Sequence, residues 1–272
     1  MSASLDEIVA ATRRIVAESK PVADLRQFER QAGNHVPRGF RHSLESGSAS
    51  GIAVIAELKR ASPSRGLIRR DFDPVSLAKE FESSGATALS VLTAAEFFQG
   101  SLENLRRASA ATKLPCLRKD FIVDEFQLLE ARANGADAVL LIVAALTPAE
   151  LKMLVRRASE YKLDVLCEVH DEMELQRAVD EGCTLIGVNS RDLRTFKVNL
   201  ETSFRLANSI PKNSLPVAES GIHGGADIAR LRAVGYQAFL IGESLMKAKF
   251  PGDALKALLV EARREFDVPA RK

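Results

Sequence analysis

The sequence predicts an α/β fold, a (β/α)8 TIM barrel with an N-terminal helical extension, and three observations carry that prediction. A unit made of a helix-ending glycine, a short turn and an apolar strand recurs at near-even intervals, from Gly85 to Leu92, Gly135 to Ile142, Gly182 to Val188 and Gly235 to Gly242. Between these units lie strands of a second type, each entered through a leucine, at Leu114 to Arg118, Leu163 to Cys167 and Leu215 to Ala218. With an opening strand after Gly51 they make eight, and strands alternating with amphipathic helices are the pattern of a closed parallel barrel. The third observation is size: 272 residues, 46% of them hydrophobic, suit one such barrel with a small addition. A doubly wound open sheet competes, but no G-x-G-x-x-G follows the first strand and the even repeat favours closure.

The chain opens with Ser4-Leu5-Asp6-Glu7, which has the form of a capping box, followed by Leu5, Ile8, Val9, Thr12, Ile15 and Val16 at helical spacing. Pro21 can open a second helix through Leu25 and Phe28 that Gly33 would close. Gly47-Ser48-Ala49-Ser50-Gly51 then reads as a hinge. Residues 1–50 are thus expected to form an extension and residues 51–272 the barrel domain.

Ile52 to Leu58 alternates as a buried strand, with Ala53, Ile55, Glu57 and Lys59 on one face and Val54, Ala56 and Leu58 on the other. Two opposite charges therefore end an apolar face, and interior charges must be paired or functional. Ser62-Pro63-Ser64-Arg65-Gly66 breaks the strand into a polar, basic loop, and the stretch from Ala61 to Arg70 is expected to act as a flap over an anionic ligand. The helices that follow are read at Pro74 to Ser83, Phe126 to Asn134, Pro148 to Tyr161, Glu172 to Glu181 and Ala226 to Ala233.

The strand repeat also sorts the chemistry. Glu57 and Lys59, Lys119, Glu168 and Glu219 end the odd strands, whereas Thr93, Ile142, Asn189 and Gly242 end the even ones. Interior layers of such barrels draw on alternate strands, so the odd strands could aim two lysines and three carboxylates into one layer at the C-terminal mouth. Glu219-Ser220-Gly221 and Gly242-Glu243-Ser244 follow the seventh and eighth strands, where these barrels usually hold phosphate on backbone N–H groups. Arg191, after the sixth strand, either braces the rim or holds a second anion. Phe97 and Phe98 read as a satellite core or as an apolar wall for a substrate ring.

His35, His42, His170 and His223 have no metal-ligand spacing and read as surface or loop residues; no metal is expected. Cys116, Cys167 and Cys183 sit in apolar runs, which suggests buried thiols in a reducing compartment rather than disulfides. The net charge of +2 leaves no field for a polyanion, so nucleic acid is not an expected partner. No run is long enough to span a bilayer and no signal-peptide core opens the chain, so the expected location is the cytoplasm.

From Gly51 onward the segments IAELKRASPSRG, ALSVLT, FFQGS, LRKDFIVDEFQ, ADAVLLI, CEVHD, IGVNSRDL, VAESGI and AFLIGESLM resemble, in order, those of the indole-3-glycerol-phosphate synthase family. The first fifty residues resemble the family's extra helices, which cover the barrel mouth. One departure is Ala94, where the family often has an acidic residue after LT. The resemblance implies a tryptophan-pathway lyase that needs no cofactor and acts on carboxyphenylamino-deoxyribulose phosphate. It implies Lys119 as general acid at the ketone, Lys59 as anion holder and second proton donor, Glu168 with Glu57 for the charge developing on nitrogen, and Asn189 and Ser220 as further catalytic residues. Ser62, Phe98, Phe121, Arg191 and Glu219 would hold the substrate, and Gly221, Gly242 and Ser244 its phosphate. A monomer is expected, with association with other tryptophan-pathway enzymes left open. A phosphoribosylanthranilate isomerase-like barrel, a Schiff-base aldolase using Lys59 or Lys119, and a catalytically dead scaffold are the competing readings.

Overall fold

A computed structural model describes residues 4–192 and 195–267. Leu193, the last residue of the IGVNSRDL segment, and residues 268–272 lie outside them. Eight parallel strands close a barrel: β1 (Ala53–Leu58), β2 (Ala88–Leu92), β3 (Cys116–Lys119), β4 (Ala138–Ile142), β5 (Asp164–Val169), β6 (Leu185–Asn189), β7 (Leu215–Glu219) and β8 (Ala238–Ile241). Each strand pairs with its sequence neighbours and β1 with β8, so the sheet has no free edge. The main helices packed around it are α4 (Pro74–Ser83), α6 (Leu102–Ala110), α7 (Phe126–Ala133), α8 (Pro148–Glu160), α9 (Glu172–Asp180), α10 (Glu201–Ala207), α11 (Gly225–Ala233) and α13 (Pro251–Asp267). Short helices α5 (Ala95–Phe98) and α12 (Glu243–Lys247) follow β2 and β8.

The alternation of β1 sorts its side chains as expected. Ala53 and Ile55 join Leu117, Leu140, Leu166, Val217 and Leu240 in the inner core, while Val54, Ala56 and Leu58 join the layer between strands and helices. The period of two therefore aims Glu57 inward at the end of an apolar row.

Three helices precede the barrel: α1 (Leu5–Ser19), α2 (Leu25–Asn34) and α3 (Phe40–Ser50). The expected capping box is present at α1, where Ser4 and Glu7 satisfy each other's backbone N–H. Pro21 does not open α2; it lies in a single 3-10 turn, and Asp24 caps α2 by accepting the N–H of Gln27 at 2.9 Å. The hinge expected at Gly47 to Gly51 is corrected: α3 runs through Ser50 and only Gly51 leaves the helix. Tertiary packing overrides the glycine and serine content here. Phe40 and Leu44, one turn apart, are fully buried in the inner core, a burial worth about 1.5–3 kcal/mol each. Gly47 is needed for closeness, since a Cβ there would stand 2.7 Å from Cγ2 of Thr87.

The extension touches both ends of the barrel. Leu5 and Ile8 of α1 reach the cavity at the C-terminal mouth, and α2 packs on α7, with Phe28 and Phe126 rings 6.0 Å apart. At the other end, the backbone N–H of Arg41 donates to Asp164 at the start of β5, 2.9 Å away. Asp137, just before β4 and with its side chain wholly buried, accepts from the N–H and guanidinium of Arg38, from His35 and from the N–H of Cys116. Among the described residues, no helix is long and apolar enough to cross a membrane. All three cysteines are buried and unpaired.

Candidate active site

One cavity of about 410 Å³ opens at the C-terminal ends of the strands. Every residue assigned a catalytic, substrate or phosphate role lines it: Glu57, Lys59 and Ser62 from the first strand and its loop, Phe98 after β2, Lys119 and Phe121 at and after the end of β3, Glu168 from β5, Asn189 and Arg191 at and after the end of β6, Glu219, Ser220 and Gly221 at and after the end of β7, and Gly242 and Ser244 after β8. The alternation of strands holds for the charges, and Asn189 shows that an even strand adds a neutral polar group to the same layer. Register places it there, because Asn189 pairs with Glu219 across β6 and β7.

Two ion pairs organise the layer. Lys59 Nζ meets Glu57 Oε1 at 2.6 Å, and Lys119 Nζ meets Glu168 Oε2 at 2.9 Å and Glu219 Oε2 at 3.5 Å. Burial works against the Lys119 ammonium, but Glu168, then Glu219 and Glu57, outweigh it and raise its pKa above the ordinary lysine range. Burial likewise opposes the Glu168 carboxylate, and Lys119, His170 and Asn189 overcome it, so that Glu168 stays ionised well below the usual range. Glu219 behaves differently: burial, with Glu168 and Glu57 nearby and Lys119 opposing, pushes it up to about 8. Glu57 has Lys59 beside it and Glu168 has Lys119, so Glu219, 3.5 Å from Lys119 and without a cation of its own, is the carboxylate that burial and its acidic neighbours push toward the protonated form.

Asp120, although next to Lys119 in sequence, takes no part in this. Its carboxylate turns to Arg118 at 3.0 Å, to the Thr93 hydroxyl and to the N–H of Phe121. The phenyl ring of Phe98 stands 6.1 Å from that of Phe121, and the two side chains form an apolar wall. Phe97 instead packs partly buried on the inner core.

The loops after β7 and β8 form the other part of the cavity wall. Ser220 and Gly221 both have positive φ, 65° and 79°, which turns the chain sharply at the end of β7. Gly242 caps α12, and a Cβ there would stand 2.9 Å from Cβ of Glu57, so its missing side chain makes room for Glu57. The Ser244 hydroxyl reaches the Ile222 carbonyl at 3.5 Å. Arg191 is tethered, with one nitrogen 3.5 Å from Glu243 and another donating to the Phe196 carbonyl. Ser62 Oγ and Glu219 Oε1, both on lining residues, are buried polar atoms without a partner among the described residues, which suits a polar ligand.

Sequence reasoning missed three features. His170 is not a surface residue but a half-buried neighbour of Glu168, 3.4 Å away, and of Glu174, 2.9 Å away. His35 is likewise bound to Asp137 at the other end of the barrel. Glu243 gathers Arg65, Arg191 and Lys247 at 3.1, 3.5 and 2.5 Å and so clasps the first loop to the sixth and eighth. The period-two continuation Leu166, Glu168, His170 was the available signal for the first of these.

A closed parallel barrel with paired lysines and carboxylates at its C-terminal mouth defines a (β/α)8-barrel enzyme. A family model described as indole-3-glycerol phosphate synthase matches residues 5–258. The chain belongs to that family. It is 58% identical over 259 residues to the indole-3-glycerol phosphate synthase of Koribacter versatilis, a match covering 95% of this chain and all of the relative. It is 50% identical over 246 residues to that of Chlorobium luteolum, covering 90% and 94%. Among solved structures, thiamine phosphate pyrophosphorylase from Pyrococcus furiosus is similar with a TM-score of 0.61 at 17% identity, over 79% of this chain and 96% of that one. The tryptophan synthase alpha chain from Legionella pneumophila is similar with a TM-score of 0.60 at 16% identity, over 87% and 100%. These two likenesses show the barrel fold alone.

Proposed function

We propose that the chain converts 1-(2-carboxyphenylamino)-1-deoxyribulose 5-phosphate to indole-3-glycerol phosphate, carbon dioxide and water. It is then a carbon–carbon lyase of tryptophan biosynthesis, as its family membership implies. The observation that carries the residue assignment is the Lys119 ammonium, held protonated by carboxylates inside the cavity. In the first step the ring carbon that bears the carboxylate attacks the ketone carbon, and Lys119 gives its proton to the ketone oxygen. The ring nitrogen becomes an iminium stabilised by Glu168, with Glu57 assisting. The iminium then accepts the electron pair released as carbon dioxide leaves. Loss of carbon dioxide restores the benzene ring; Lys59 then donates the proton with which the new hydroxyl departs as water, and a carboxylate takes a proton from the CH2 carbon beside the nitrogen, which forms the double bond of the indole. Each proton transfer contributes typically about 10²–10⁴ in rate.

Phe98 and Phe121 are assigned to the substrate ring, Arg191, Ser62 and Lys59 to its anions, and Gly221, Gly242 and Ser244 to the phosphate. Asn189, Ser220 and Glu219 complete the polar wall. Residues 51–272 form the catalytic unit, and residues 1–50 serve it as an extension whose first helix closes over the mouth. The reading carries with it a monomeric, cytoplasmic enzyme that works without a cofactor. An aldolase would need Lys119 as a free amine, and its carboxylate neighbours oppose that. Purified protein given the substrate should release one carbon dioxide for each indole fluorophore formed. Consumption of substrate without carbon dioxide would indicate an isomerase instead.

A further inference from the structure

Glu168 has two oxygens and two different partners. Oε2 accepts from Lys119 at 2.9 Å, and Oε1 lies at an ion-pair distance of 3.4 Å from Nε2 of His170, a buried nitrogen with no hydrogen-bond partner among the described residues. His170 continues the inward row of β5 above Leu166 and Glu168, yet it does not line the cavity; it stands behind Glu168. Its ring is itself fixed. Nδ1 lies 2.9 Å from Oε2 of Glu174, and that same oxygen accepts the His170 backbone N–H at 2.8 Å. Glu174 is anchored in turn, because Asp171, which caps α9, accepts its N–H at 2.9 Å. A chain of contacts thus runs from the start of α9 to the candidate acid in the cavity.

We propose that His170 is a positioning residue of the active site, clamped by Glu174 and holding Oε1 of Glu168 so that Oε2 stays turned toward Lys119 while Lys119 transfers its proton. The inference rests on the lyase reading above. Its physical basis is a charge that must be replaced. When Lys119 gives up its proton, Glu168 loses its nearest cation while buried, and a buried carboxylate without a cation takes up a proton. A neutral Glu168 could not stabilise the positive charge developing on the substrate nitrogen. The imidazole supplies a second cation that does not move. Burial opposes its charge, but Glu168 on its own strand and Glu174 on α9 raise its pKa to about 10, with Lys119 and Glu219 lying beyond Glu168.

Two variants and one spectrum test this. His170→Gln keeps a side chain of similar reach without a positive charge. It should lower kcat by about 10–100-fold, since small misplacement of a reacting group costs that much, with KM changed by less than about 2-fold because the residue does not touch substrate. The acid limb of its pH–kcat profile should move to higher pH, because Glu168 becomes easier to protonate. Glu174→Gln keeps the imidazole but removes one of its two carboxylates; kcat should fall less, and a new alkaline limb should appear as His170 now loses its proton within the assay range. Nitrogen-15 spectra of the wild type at pH 8 should show both ring nitrogens of His170 protonated, the resonance being assigned by its shift in Glu174→Gln. A neutral His170 at pH 8 would overturn the proposal, as would an unmoved acid limb and unmoved kcat in a folded His170→Gln. If His170→Gln does not fold, an absent alkaline limb in Glu174→Gln overturns it. Wild-type protein that makes no indole product would remove the lyase reading, whereas these outcomes in an active wild type remove only the role of His170.

Discussion

Lys119 and Glu168, 49 residues apart in the chain, meet at 2.9 Å inside the barrel mouth. Strand register brings them together through β4, since Arg118, next to Lys119, is level with Val139 and Glu168 is level with Ile142 further along the same strand. The pair keeps the lysine protonated and therefore a poor nucleophile.

Gly242 is expected to be intolerant of any side chain for a reason separate from phosphate. A Cβ at this position meets Glu57, and overpacking of this kind costs about 1–3 kcal/mol. Gly242→Ala should therefore lower the melting temperature, and Glu57→Ala in the same chain should restore only the part of the loss that the Glu57 carboxyl causes, because the Cβ at 57 stays 2.9 Å away. Simple additivity of the two melting-temperature changes would show that the two residues do not collide. Ser244→Ala, by contrast, should raise KM only mildly if, as proposed, main-chain groups hold the phosphate.

Asp137 is expected to matter for stability and not for turnover. Burial opposes its charge, yet His35, Arg38 and the Cys116 N–H hold its carboxyl below the usual range. Its contribution is therefore full above the unfolded value of about 3.9 and is lost as pH falls through the lower folded value. Asp137→Ala leaves Arg38 part-buried without its carboxylate and should cost roughly 3–5 kcal/mol at neutral pH. Chemical denaturation measures it. The kcat of the folded variant should stay within about 2-fold, since that end of a barrel serves stability.

The loop after β1 is an ordered hairpin in which Ala61–Ser62 pairs with Gly66–Leu67, and Arg65 reaches Glu243 at 3.1 Å. Such a clasp can exchange Glu243 for a substrate anion. Amide hydrogen exchange at Ser62 to Gly66 is expected to slow when a substrate analogue binds and to quicken in free Glu243→Gln. Equal rates with and without the analogue would argue against a flap.

The barrel was legible because its signals are local and repeated. Alternation along Ala53 to Leu58 sends Glu57 inward whatever the partners are, and equivalent positions on β3, β5 and β7 follow from the repeat. Residues whose meaning depends on distant partners were not legible. Helix α3 hides behind glycine and serine because Phe40 and Leu44 anchor it in the inner core and Arg41 bonds Asp164, and the strand residues they meet lie mostly far along the chain. Asp137 reads as an ordinary turn residue until Arg38, 99 positions earlier, is beside it. His170 reads as a loop histidine because the two carboxylates that define it lie on a strand and on the next helix.

The central claim is that Lys119 is a proton donor kept charged by its carboxylates, and Lys119→Met tests it most directly. The single measurement is rapid-quench turnover by this variant and the wild type in the presence of borohydride, read by indole fluorescence and by the mass of the protein. The expected result is a rate lowered by several orders of magnitude in the variant, with substrate affinity changed much less, and wild-type protein that stays active and gains no mass. A covalent substrate adduct on Lys119 or Lys59, or a Lys119→Met variant that turns over at the wild-type rate, would contradict it.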